Sequence, residues 1–137
     1  KIKAWEGCRL TAYRCPAGVL TIGYGHTGPG VTLGKRITQA EADALFEADI
    51  KRFADGVAAK LRGANINNNQ FDALVSLAYN IGIGAFQKST LFKKVMTDPA
   101  DPTIRAEFAK WVHGGGKILP GLVKRRTAEA NHYFGQI

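Results

Sequence analysis

The chain has 137 residues, 45% of them hydrophobic, with 19 Lys and Arg against 11 Asp and Glu. At this length the chain can bury one core, so a single domain spanning residues 1–137 is expected. Its longest apolar runs are only a few residues, far below the roughly 20 that cross a bilayer, so no stable membrane insertion is expected. The formal charge of +8 indicates an anionic partner, and a nucleic acid, an anionic lipid or an acidic bacterial wall fits it equally well.

The first forty residues predict a short helix followed by a small β region. Ile2 and Trp5 share one helical face within residues 1–9, and Gly7 is an early stop signal. The segment 13–24 combines Val, Thr, Ile and Tyr with glycines, which is typical of a strand or a hairpin. The N-terminal part of the chain is therefore expected to be partly β.

Helices are predicted for most of the remaining chain. Thr38 and Glu41 have the spacing of a capping box before apolar residues at helical spacing, which predicts a long helix over about 38–61. Asn69 is the expected cap of the next helix, which ends at Gly82 and Gly84. Further helices are predicted over 89–96, 101–112 and 120–134, and the glycine-rich segment from His113 separates the last two.

Strands that cluster early, with helices after them, indicate an α+β protein. The expected organisation is a small β-rich lobe over about 10–40 and a linking helix over about 38–61. A larger helical lobe over about 62–137 is expected to include the N-terminal helix. A cleft between two such lobes is the expected place for an extended ligand.

The segment "GYGHTG" (23–28) has the form G-x-G-x-x-G, but Pro29 and Gly30 oppose the helix that a dinucleotide site needs. No cofactor is therefore expected. His26 is expected to donate a hydrogen bond to a carboxylate, with Asp49 as the first partner to test. No metal site is expected, because the three histidines are widely spaced at positions 26, 113 and 132.

Three further groups of polar residues raise functional questions. Glu6 lies at the expected end of the first helix beside Trp5, an environment that favours a protonated carboxyl and hence a general acid. Cys8 and Cys15 lie seven positions apart, and either a single bridge or a buried free Cys8 fits this spacing. On the last helix, Lys124, Arg125 and Arg126 are expected to be exposed, where they can contact an anionic polymer.

The spacing of three of these residues matches a known pattern. Glu6 is followed nine positions later by Cys15 and six positions after that by Thr21, which opens "TIGYGH". In this pattern, and in "ITQAEADALFEADI", "NQFDALVSLAYNIGIGAF" and "GGGKILPGLVKRR", the chain resembles the phage-type lysozymes, the endolysins of glycoside hydrolase family 24. The resemblance covers nearly the whole chain and implies a lysozyme-like fold.

The resemblance implies hydrolysis of the β-1,4 bond between N-acetylmuramic acid and N-acetylglucosamine in peptidoglycan. Glu6 takes the role of the general acid, and Thr21 is suited to hold a water on the opposite face of the sugar, which suggests inversion. Gly23, Gly25 and His26 are expected to border the substrate. Such a protein is expected to be a monomer that acts in the bacterial periplasm or cell wall, is made in the host cytoplasm if phage-encoded, and does not bind nucleic acid.

Cys15 departs from the family pattern, which more often has an aspartate at this position. A thiol is mostly neutral at pH 7, so it offers less charge to the transition state than a carboxylate does. A Cys8–Cys15 bridge would consume this thiol and make the enzyme redox-switched. A non-catalytic wall-binding module and a lytic transglycosylase remain the alternatives, although the presence of Glu6 and Thr21 favours hydrolysis.

Overall fold

A computed structural model describes residues 2–15, 18–114 and 116–136. The chain forms two compact units, Lys1–Lys51 and Arg52–Ile137. The elements in chain order are α1 (Ile2–Glu6), β1 (Arg9–Arg14), β2 (Leu20–Gly23), α2 (Gln39–Lys60), α3 (Asn68–Ile81), α4 (Ile83–Lys88), α5 (Thr90–Thr97), α6 (Ile104–Ala109), β3 (His113–Gly114), β4 (Lys117–Ile118) and α7 (Pro120–Tyr133). The predicted α+β class is confirmed, with helices in the majority.

The first helix, α1, ends where a glycine changes the direction of the chain. Gly7 has a φ of +66°, and its N–H donates to the Lys3 carbonyl at 2.9 Å, as a glycine after a helix end commonly does. The Lys3 ammonium pairs with Asp43 of α2 at 3.3 Å and lies 4.8 Å from the centroid of the Tyr24 ring. These contacts hold α1 in the unit Lys1–Lys51, which also contains β1 and β2. The sequence prediction instead groups this helix with the helical lobe.

An antiparallel hairpin organises the first unit. Strand β1 begins earlier than predicted, and Tyr13 lies opposite Thr21 of β2. After β2 the chain turns through residues 23–25, and Ile22 and His26 exchange both backbone hydrogen bonds, at 2.9 and 2.8 Å. The turn packs beside a small core made of Ile22, Val31, Ile37 and Ala42.

The predicted start of the long helix α2 is confirmed by its capping box. The Glu41 N–H donates to Thr38 Oγ1 at 3.1 Å, and the Thr38 N–H donates to Glu41 Oε1 at 3.0 Å. The cap of α3 is Asn67 instead of Asn69, because Gln70 completes a second capping box with Asn67. A box satisfies two backbone donors where a lone asparagine satisfies one, which favours the earlier start.

Three features of the second unit differ from the sequence prediction. Helix α6 begins only at Ile104, because the Asp101 carboxylate accepts from both the N–H and the hydroxyl of Thr103 in a local turn. Helix α3 ends at Ile81 with Gly82 as its C-cap, as predicted, but Gly84, which is also predicted as a stop, lies inside α4. The segment from His113, predicted as a connection, contains the short hairpin of β3 and β4.

The expectation that Arg125 and Arg126 are exposed is wrong, because both are buried in the second unit, at 3% and 1% exposure. Glu129, one turn further along α7, pairs with Arg125 Nε at 3.2 Å and Arg126 Nε at 2.8 Å. Ser76 of α3 donates its hydroxyl to Glu129, and its carbonyl accepts from Arg125 Nη2 at 3.0 Å. Burial raises the pKa of the Glu129 carboxyl, and the two guanidinium groups oppose that rise.

Membrane-spanning helices are absent from the part of the chain that the structure describes. None of the helices there combines the length and the apolar character that a bilayer requires.

Candidate active site

The carboxylate of Glu6 lies against the turn that follows β2. A methyl group built on the Cα of Gly25 would lie 2.5 Å from Glu6 Oε1 and 3.2 Å from its carboxyl carbon. Gly25 also has a φ of +80°, a conformation that disfavours every residue with a side chain. The acid is therefore packed on backbone, at a place where only glycine leaves room for it.

Tyr13 is a neighbour of Glu6 that the sequence does not single out. Burial, followed by the charge of the Glu6 carboxylate, raises the pKa of the Tyr13 hydroxyl. The guanidinium of Arg9 lies 4.6 Å from the centroid of the Tyr13 ring and opposes this rise. Tyr13 thus keeps its proton beside the carboxyl. A correct strand assignment would place Tyr13 opposite Thr21. This pairing is the one feature of the sequence that points to Tyr13 as a site residue.

One backbone carbonyl joins Cys15 and Thr21. Val19 O accepts the Cys15 N–H at 3.0 Å and the Thr21 hydroxyl at 2.9 Å. Thr21 is only 4% exposed, and its hydroxyl proton is committed to Val19, so Oγ1 can offer a further partner only its lone pairs. The structure thus holds Glu6, Cys15 and Thr21 in one compact unit.

His26 and Asp49 form the hydrogen bond that the sequence predicts. His26 Nδ1 lies 2.7 Å from Asp49 Oδ2, and the Asp49 side chain is only 9% exposed. This bond ties the turn after β2 to α2. Gly23 is also part of the packing, because its Cα faces Ala42 and Ile37 in the small core.

Both cysteines are free thiols in the structure, so the Cys8–Cys15 bridge is not formed in it. Cys8 packs against the small core of the first unit, and its Sγ lies 3.8 Å from Gln39 Oε1. Cys15 is partly exposed. Within the described residues, no three His, Cys, Asp or Glu side chains are grouped so that they could hold a metal ion.

Replacing Gly25 by alanine is expected to lower kcat about tenfold, because the new methyl group must displace the Glu6 carboxylate. The change also strains the backbone by about 1–2 kcal/mol. The measurement is the rate of clearing of a wall suspension, beside thermal unfolding of the same variant.

Gly34→Ala is the matched control for Gly25→Ala. Gly34 has a φ of +81°, and a methyl group on it would meet nothing within 4 Å. Both variants are expected to lose similar stability, and only Gly25→Ala is expected to lose turnover. Equal turnover in the two variants would show that the absence of a side chain at Gly25 is not what positions Glu6.

His26→Ala is expected to lower the free energy of unfolding by about 2–3 kcal/mol, because a buried carboxylate loses a hydrogen-bond partner. Thermal unfolding at pH 6 measures the change. His113→Ala is the control, since His113 is exposed on β3 and loses the same imidazole. A melting temperature of His26→Ala that matches this control would assign the bond no role in stability.

Comparison with known proteins places the chain in a family. The family model described as "Phage lysozyme" matches residues 3–129, so the chain belongs to the phage lysozyme family. The chain is 42% identical over 130 residues to an endolysin of Bacillus phage PZA and 43% identical over 132 residues to one of Acyrthosiphon pisum secondary endosymbiont phage 1. Each match covers 93% of this chain, but 50% of the first relative and 88% of the second.

A solved structure supports the same assignment. The muramidase domain of SpmX from Asticaccaulis excentricus is 34% identical, with a TM-score of 0.81 over 96% of this chain and 90% of that chain. The family, the lysozyme-like fold class and the enzyme class, a lysozyme, are thereby confirmed as the sequence predicts them. The chain spans about half the length of the Bacillus phage PZA relative.

Proposed function

We propose that this chain hydrolyses the β-1,4 bond between N-acetylmuramic acid and N-acetylglucosamine in bacterial peptidoglycan and so lyses the cell wall. The observation that carries the proposal is the placement of Glu6 at the end of α1, packed on Gly25, in a chain of the phage lysozyme family. The similarity to the muramidase domain of SpmX supports cleavage of the same bond. The enzyme acts where its substrate is, in the periplasm or the wall.

Glu6 acts as the general acid in this mechanism. Protonation of the glycosidic oxygen makes the departing sugar a neutral alcohol, while positive charge builds on the other ring. A carboxyl held against backbone keeps its direction through this step, since no flexible side chain has to be ordered around it. Tyr13, which feels the charge of Glu6 and retains its proton, adds no second negative charge near the carboxylate left after the transfer.

Thr21 positions the water that attacks the anomeric carbon. Its hydroxyl proton is committed to Val19, so Thr21 Oγ1 accepts a hydrogen bond from that water and turns the water's lone pair toward the sugar. Cys15, whose N–H shares the Val19 carbonyl, activates that water, because its thiolate form accepts the proton that the water loses as it bonds to the anomeric carbon. Gly23 and His26 act through the fold around the site, and Gly25 also leaves room for glycan near its backbone.

Substitution of Cys15 tests the separate roles proposed for Thr21 and Cys15. Cys15→Ser is expected to lower kcat roughly ten- to hundredfold, because a hydroxyl does not ionise near neutral pH. Cys15→Asp is expected to retain a substantial part of the activity, because a carboxylate restores the charge. Rates of wall clearing measure both variants. Equal activity for Cys15→Ala and the unmodified protein would remove Cys15 from the mechanism.

The Cys8–Cys15 bridge, if it forms, makes the enzyme inactive when oxidised and active when reduced. Turnover of deliberately oxidised protein with and without a thiol reductant tests this. Activity of the bridged protein that does not respond to the reductant would contradict the redox switch. The reaction of the reduced enzyme is unaffected by that outcome.

Analysis of products from purified peptidoglycan tests the proposed reaction itself. Hydrolysis in ¹⁸O-labelled water yields reducing muramic acid ends that carry one label. A lytic transglycosylase instead yields unlabelled anhydro-sugar ends, which are one water lighter, and a non-catalytic module yields neither. Either of these last two results would overturn the proposal.

A further inference from the structure

A second feature suited to binding lies wholly within the unit Arg52–Ile137. It is a cavity of about 420 Å³ between the end of α4, the start of α5 and the end of α6. Lys88, Thr90, Glu107, Lys110 and Trp111 are among the side chains that line it. This volume is within the range of small-molecule sites and holds one sugar ring with its substituents.

The charge around this cavity is positive, because the one carboxylate among its described lining residues is already paired. Glu107 is 5% exposed and accepts from Lys94 at 2.9 Å and from Lys110 at 2.9 and 3.1 Å. The hydrogen bond from Lys94, supported by Lys110 and opposed by burial, holds the pKa of Glu107 below its ordinary value. Lys88 forms no ion pair with any residue in the described ranges, so its ammonium is open to a ligand.

The uncharged side chains that line the cavity also restrict which kind of ligand it can bind. Trp111 is partly buried and gives the cavity an aromatic wall, which suits the apolar face of a pyranose ring. The Ser89 hydroxyl donates to the Phe86 carbonyl and accepts from the Phe92 N–H, so it is occupied within the fold. Among the described lining side chains, the polar groups left for a ligand are the Lys88 ammonium, the Thr90 hydroxyl and the Trp111 indole N–H.

We propose that this cavity is an accessory site for a muramic acid residue of the wall glycan that carries no stem peptide, so that its lactyl carboxylate is free. Lys88 binds the carboxylate, Thr90 hydrogen-bonds the sugar, and Trp111 contacts the ring. The choice of a wall sugar rests on the proposed function, but the requirement for a carboxylate rests on the unpaired lysine. Such a site holds the enzyme on its polymer independently of the residues around Glu6.

The two tryptophans allow binding at this cavity to be observed by itself. The chain contains two Trp, and they are Trp5, adjacent to Glu6, and Trp111. In ¹⁵N-labelled protein each indole N–H gives one resonance. Titration with N-acetylmuramic acid is expected to shift the Trp111 resonance saturably. This monosaccharide contains no glycosidic bond, so the measurement does not depend on turnover.

Lys88→Gln is expected to weaken that binding about three- to fivefold, as the loss of a solvent-screened pair does. Lys93→Gln, which removes the same charge from an exposed position on α5, is the matched control and is expected to leave Kd unchanged. Neutral N-acetylglucosamine is expected to bind at least threefold more weakly than N-acetylmuramic acid. Higher salt is expected to reduce this difference.

Three results would each overturn the accessory site. They are a Trp111 resonance that does not shift, equal binding by Lys88→Gln and Lys93→Gln, and equal binding of the charged and neutral sugars. Failure of the proposed reaction is seen elsewhere, in the products released from peptidoglycan. The two proposals can therefore fail separately.

Discussion

Glu6→Gln is expected to lower kcat for wall hydrolysis about 10³-fold, because an amide has no proton to give to the glycosidic oxygen. The replacement has nearly the same shape as the acid, so it fits against Gly25 and leaves the turn after β2 in place. KM and the melting temperature are expected to change little. The measurement is the release of reducing ends from purified peptidoglycan, together with thermal unfolding.

Glu47→Gln provides the matched control for Glu6→Gln. Glu47 is exposed on α2 in the same compact unit, and its replacement makes the same change of net charge. Full activity of this control excludes a general effect of charge on attraction to the wall. If Glu6→Gln released reducing ends as fast as Glu47→Gln, the assignment of the general acid would be wrong.

Glu129→Gln is expected to lower the free energy of unfolding by about 3–5 kcal/mol, because it leaves two buried guanidinium groups without their carboxylate. The cost is high because water cannot reach Arg125 and Arg126 to replace the lost charge. Ser76 also loses an anionic acceptor for its hydroxyl, which weakens the link between α3 and α7. Chemical denaturation at neutral pH measures the change.

Glu47→Gln, which replaces an exposed glutamate, is also the reference for the denaturation of Glu129→Gln. It is expected to change the free energy of unfolding by less than about 0.5 kcal/mol. A Glu129→Gln variant as stable as this reference would show that the arginines find other partners. In that case the buried cluster would contribute nothing to the link between α3 and α7.

Local signals in the sequence predict much of the fold. The capping box at Thr38 and Glu41 fixes the start of α2 because both partners lie within one turn of each other. Gly7 marks the end of α1 for a similarly local reason, since only its backbone conformation is required. Such interactions need no knowledge of the remaining chain, and the sequence therefore predicts them well.

Features that depend on distant partners are predicted less well. The exposure of Arg125 and Arg126 is misjudged because Ser76, which accepts from Arg125 and donates to Glu129, lies 49 residues before Arg125, and a run of basic residues by itself indicates a surface. The contact between Gly25 and Glu6 is missed for the same reason. The bond between His26 and Asp49 is the exception, because a histidine beside a strand and an acid on a helix suggest the pair.

The burial of the arginines gives the C-terminal part of the chain two chemically distinct sets of positive charge. Residues 87–137 contain six lysines and three arginines, and two of those arginines are sealed inside the fold by Glu129. Acetylation with an amine-reactive reagent modifies lysines and spares guanidinium groups. Mild acetylation can therefore remove most of the surface charge in this region while the arginine–glutamate cluster keeps α7 attached to α3.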